Sequence, residues 1–116
     1  MQLRVAVPIY RKRISPVLDF CERLLVVDLV ENSEVERKEV FLDEMSLSDR
    51  LTLLQRLEVT MVICGGISDT LYHMLQNCGI ESISGITGDV EDVITAFCRN
   101  QLNDSKFMMP GCNFRE

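Results

Sequence analysis

Two stretches of this chain put reactive side chains at a spacing that could do chemistry: Arg11-Lys12-Arg13, with Ser15 just beyond, and Cys64-Gly65-Gly66. The first sets three adjacent cations in a chain of formal net charge −6. Such a run is either a solvated turn or a loop that contacts an anion. The second sets a thiol directly before two glycines and a predicted helix start. Backbone N–H groups at a helix N-terminus stabilise an anion or a thiolate, and glycines let a bulky ligand approach the main chain. A cysteine in a strand is more often a small buried hydrophobe, so both readings stand for Cys64.

The elements that position Cys64 are read from pattern. Val59-Thr60-Met61-Val62-Ile63-Cys64 is a short, β-branched-rich apolar run and predicts a strand buried on both faces. Ser68 is a candidate N-cap for a helix whose Leu71, Met74, Leu75 and Cys78 form one apolar stripe, and Gly79 stops it. Residues 80–83 then return as a parallel strand. The unit is β-α-β, with Cys64 at the carboxyl end of its first strand, where open α/β sheets put their ligands.

Before that unit, Leu3, Val5, Val7 and Ile9 alternate as a first strand, residues 10–16 form the basic loop, and residues 21–30 make an apolar second strand. After a turn at 31–33, residues 35–42 mix apolar and charged side chains as an antiparallel edge strand, closing a three-strand meander. Ser46 opens a first helix ending near Arg56, and Asp89, Glu91 and Asp92 begin a third whose core face is Val90, Val93, Ile94 and Phe97. The predicted order is three strands, then helix, strand, helix, strand, helix. Residues 100–116 lack periodicity and are expected to form a flexible C-terminal tail.

The totals bound the function. A chain of 116 residues that is 47% hydrophobic builds one domain with a real core. Its acidity disfavours a nucleic-acid partner. No apolar run reaches the length of a membrane span, and nothing near Met1 resembles a signal peptide, so a cytoplasmic protein is expected. Five cysteines without a C-x-x-C pair suit reduced thiols. Cys21 begins the second strand and could face the pocket of Cys64, Cys112 sits on the tail and could swing onto a metal, and Cys78 and Cys98 read as core. The single histidine, His73, lies opposite the apolar stripe of its helix, which leaves nucleophilic catalysis poorly supported.

Val5-Ala6-Val7-Pro8, Ile14-Ser15-Pro16, Leu25-Val26-Val27-Asp28, Val62-Ile63-Cys64-Gly65-Gly66-Ile67 and Leu75 through Gly79-Ile80 resemble the dinitrogenase iron-molybdenum cofactor biosynthesis family, of the NifX and NifB C-terminal type. The likeness spans about residues 3–99. It implies a domain over residues 1–99 with a ribonuclease-H-like three-layer α/β fold and a mixed five-stranded sheet. It also implies a non-catalytic role in which iron-molybdenum or related metal-sulfur clusters are bound during cofactor assembly, with cluster donor and acceptor proteins as partners. Many members follow the Ser-Pro with His-Phe-Gly, whose histidine is a candidate ligand. Here Val17-Leu18-Asp19 stands instead.

The leading expectation is therefore a carrier of an anionic metal-sulfur cluster, monomeric or weakly dimeric. Arg11, Lys12, Arg13 and Ser15 would attract the cluster, Gly65 and Gly66 would donate backbone N–H groups, and Cys64, Cys112 and Cys21 would supply sulfur. A regulatory module holding a nucleotide or another small molecule at the Gly65-Gly66 turn is a second class. A ribonuclease-H-type hydrolase is a third, with no evident carboxylate set to support it.

Overall fold

The computed structural model describes residues 2–102, 107 and 108. β1 (Gln2–Tyr10) turns through Arg11 and Lys12 into the two-residue β2 (Arg13–Ile14), and β3 (Arg23–Val30) and β4 (Ser33–Phe41) extend the antiparallel part of the sheet. α1 (Leu47–Arg56), β5 (Met61–Ile63), α2 (Asp69–Asn77), β6 (Glu81–Ile83) and α3 (Val90–Cys98) follow. The strands lie in the order β4-β3-β1-β5-β6, with β2 paired to β1 off that path. The β1–β5 and β5–β6 pairings are parallel. The sheet is thus mixed, as expected, but six-stranded rather than five. β2 escaped the pattern because two residues are too few to show a period.

Alternation along the strands divides the core into two layers. Val5, Val7, Leu25 and Val27 face α3 through Val90, Val93 and Ile94. Ala6, Leu24, Val62 and Cys64 face α1 and α2 through Leu54, Leu71 and Leu75. Helices therefore cover both sheet faces. That is why the central strands read as nearly unbroken apolar runs.

Local chemistry fixes the joints. Glu31 and Asn32, with φ of 51° and 65°, make the left-handed turn between β3 and β4 that suits a two-residue hairpin. Ser68 Oγ accepts the Leu71 N–H at 3.1 Å and starts α2. Gly79, at φ 76°, ends it, with the Ile80 N–H donating back to Leu75 O at 3.0 Å.

Of residues 100–116, expected to form the tail, those described are 100–102, 107 and 108. Leu102 and Phe107 are buried against α3, the Thr87 N–H donates to Phe107 O at 2.7 Å, and Met108 bridges Ile86. Cys112 lies outside the described residues. Among those described, no helix is long and apolar enough to cross a membrane.

Candidate functional site at the carboxyl edge of the sheet

Because β1 and β5 run parallel, their carboxyl ends open onto one edge. Backbone bonds sew four segments together there. The Gly66 N–H donates to Pro16 O at 2.6 Å and the Leu18 N–H to Gly66 O at 2.9 Å. The Ile86 N–H donates to Cys64 O at 3.0 Å, and the Ile14 N–H to Gly88 O at 3.0 Å. The segment from Ser15 to Val17 thus meets the Gly65-Gly66 turn, and the basic hairpin meets the loop before α3.

The side chains at this edge are arranged differently from the expectation. Cys64 is 0% exposed and packs in the layer of Ala6, Val62, Leu71 and Leu75. Burial pushes its thiol up to about 12, with Asp19 and Cys21 adding to the rise. An exposed thiolate at residue 64 is thus corrected to a neutral core thiol. Cys21 is also buried, and burial raises it to about 11 against the opposing pull of Arg50. The Arg50 Nη1 group donates to Cys21 O at 2.6 Å and lies 3.5 Å from Cys21 Sγ. Both thiols are sealed in the core, Cys21 and Cys64 packing in one layer.

The two glycines answer to the chain itself. A Cβ on Gly65 would lie 2.7 Å from Pro16 O and 2.9 Å from Ser15 O, and one on Gly66 would lie 3.1 Å from Pro16 O. These glycines make room for a neighbouring backbone, and the N–H of Gly66 is spent on Pro16 rather than offered to a ligand. Ser15 is likewise buried, its N–H donating to Pro8 O at 2.9 Å.

At the start of α2 the anion position is filled from within. Asp19, in the short turn Leu18–Phe20, is buried, and its carboxylate accepts the Ser68 N–H at 2.9 Å and the Ser68 hydroxyl. A helix N-terminus that already holds a carboxylate has no place for a phosphate. Sequence reasoning missed this cap because its partners stand 49 residues apart.

What the edge does offer is positive charge. Arg11, Lys12 and Arg13 are all exposed, and among the described residues none of them is ion-paired. Arg11 sits at φ 56° and its guanidinium lies 5.3 Å from the Tyr10 ring centroid. By contrast, no group of three or more His, Cys, Asp or Glu among the described residues is placed to hold a metal ion. Cys78, expected in the core, is exposed and accepts from Gln55 Nε2 at 3.2 Å. His73 Nδ1 faces Asp69 O at 2.7 Å within its own helix.

Residues 1–100 match the dinitrogenase iron-molybdenum cofactor family. The chain belongs to that family. It is 24% identical over 106 residues to the uncharacterized protein MJ0580 of Methanocaldococcus jannaschii, covering 86% of this chain and 89% of that one. Its fold is similar to the crystal structure of PH0822, with a TM-score of 0.83 at 21% identity over 89% of this chain and 95% of the other. It is also similar to MJ0327 of Methanocaldococcus jannaschii, with a TM-score of 0.74 at 25% identity over 88% and 93% of the two chains. Family membership links the chain to iron-molybdenum cofactor biosynthesis or binding.

Proposed function

We propose that this protein is a non-catalytic carrier that holds an iron-molybdenum or related metal-sulfur cluster as cargo during cofactor assembly. The cationic hairpin of Arg11, Lys12 and Arg13 is the holding surface. The observation that carries this reading is the exposure of three adjacent cations, without ion pairs among the described residues, at the carboxyl edge of a parallel strand pair. The two-residue turn that closes on the Tyr10–Arg13 pair, with Arg11 at φ 56°, holds these cations at the tip of a hairpin.

Cys64 and Cys21, neutral and buried, are poor thiolate ligands. The sulfur of this reading is that of Cys112. It lies outside the described residues, beyond Met108, which is bridged to Ile86 at the same edge. The four described cysteines are all free, which supports a reducing, cytoplasmic setting. The strand order β4-β3-β1-β5-β6 between helical layers supports the ribonuclease-H-like description of the fold.

Anaerobic reconstitution with iron, molybdate and sulfide, followed by metal analysis, tests the reading. The triple variant Arg11→Ala, Lys12→Ala, Arg13→Ala loses most of the bound metal and Cys64→Ala keeps it. Equal loading of the triple variant and wild type defeats the proposal.

A further inference from the structure

Away from the cationic hairpin, the same edge carries a groove of about 420 Å³ between the Leu18–Phe20 turn and the start of α1. Its lining includes Phe20, Glu22, Asp43, Glu44, Met45 and Arg50. Phe20 is 81% exposed, although phenylalanine ranks among the residues most often buried. Glu22, Asp43 and Glu44 are exposed, and among the described residues none of the three is ion-paired.

Arg50 lines the groove as well. Arg50 is only 6% exposed. Its Nε donates to Met45 O at 3.2 Å, and its Nη1 to Cys21 O at 2.6 Å and Leu18 O at 3.4 Å. Nη2 makes no hydrogen bond among the described residues, yet no buried side-chain nitrogen or oxygen there lacks a partner. Nη2 therefore reaches the small part of Arg50 that opens into the groove. The carboxylate rim repels anions, so a donor behind it meets a neutral acceptor, such as the carbonyl of an extended backbone.

We propose that this groove docks a segment of a partner protein in which a lysine or arginine stands beside an apolar residue. The apolar side chain packs on Phe20 and Met45, the cation meets Glu22, Asp43 and Glu44, and a backbone carbonyl accepts from Arg50 Nη2. This deepens the carrier reading, because a carrier needs a donor or an acceptor, and it rests on that reading for the partner's role. The opposite charge of groove and hairpin keeps an anionic cargo off the docking surface and a basic segment off the cargo site.

The test uses the full ¹⁵N-labelled chain without cargo, so its outcome is independent of cluster loading. A capped peptide of alternating lysine and leucine is titrated in, with its glutamate-for-lysine counterpart as control. Amide resonances of Phe20, Glu22, Glu44 and Met45 are expected to shift saturably with the basic peptide alone. Phe20→Ser and Glu44→Lys, both at exposed positions, are each expected to weaken binding about tenfold. No saturable shift, an equal response to the acidic peptide, or indifference to both substitutions overturns the proposal. The chain's own Phe114-Arg115 has the same chemistry. If Arg115→Glu moves the Phe20 and Glu44 resonances before any peptide is added, the chain's own end fills the groove and the partner assignment is overturned. Phe20→Ser is expected to load metal like wild type, so a failure of docking and a failure of cargo binding are read separately.

Discussion

Replacing Gly65 by alanine inserts one methyl group where the structure has backbone. The new Cβ would stand 2.7 Å from Pro16 O and 2.9 Å from Ser15 O, distances that side-chain adjustment cannot relieve. The strand-like segment from Ser15 to Val17 must move, and with it the bonds from Gly66 N to Pro16 O and from Leu18 N to Gly66 O. Overpacking of this kind costs about 1–3 kcal/mol, and each weakened backbone bond adds up to about 1 kcal/mol. We therefore expect Gly65→Ala to destabilise the fold by about 3 kcal/mol, measured by urea denaturation, and to lower Tm by roughly 10–20 °C. Gly66→Ala, whose Cβ would stand 3.1 Å from Pro16 O and 3.5 Å from Val17 Cγ2, should cost about 1 kcal/mol. A Gly65→Ala protein within about 0.5 kcal/mol of wild type would refute the claim that this glycine serves a chain-to-chain contact.

Three further outcomes follow from the same geometry. Cys64 has its thiol pushed up to about 12 by burial, whereas the unfolded chain releases that proton near the ordinary thiol range. The folded state then binds more protons above that range, so stability falls as pH rises. Between about pH 9.5 and 11, wild type should lose roughly 1 kcal/mol per pH unit more than Cys64→Ala, and parallel curves would count against a sealed thiol. Asp19→Ala removes the acceptor of the Ser68 N–H and hydroxyl and should cost about 2 kcal/mol in denaturant titration; a neutral result would mean the cap at α2 contributes nothing. Arg11→Gly relieves a left-handed φ of 56° and should leave stability unchanged or raise it by up to about 1 kcal/mol, while weakening metal loading. A clear loss of stability would show that the Arg11 side chain holds the hairpin itself.

Much of the fold was legible because its signals are local. Ser46, Ser68 and Asp89 each cap a helix through their own side chains, and the Leu71, Leu75 stripe faces the core as its spacing implied. The environment of Cys64 was not legible. Ile63 belongs to the layer under α3 and Cys64 to the layer under α1 and α2. With helices on both faces, a residue just past the end of a strand, as Cys64 is past β5, can be at the sheet's edge and still be sealed. The exposure of Cys78 was hidden for the opposite reason, since the apolar stripe it extends runs out at the helix C-cap. Distant pairings such as Asp19 with Ser68, Arg50 with Cys21, and Phe107 with Thr87 leave no periodic trace at all. The basic run was visible, but its seat against the loop before α3, through the Val90 N–H on Lys12 O and the Arg13–Asp89 bridge, leaves no local mark.

Cargo binding by the cationic hairpin is tested most directly on protein isolated without oxygen from its own host, by its visible absorption and metal content together. Wild type and Cys64→Ala should both carry iron and a visible charge-transfer absorption. The Arg11, Lys12, Arg13 alanine variant should be close to colourless. A metal-free, colourless wild type, or a triple variant as strongly coloured as wild type, would contradict it.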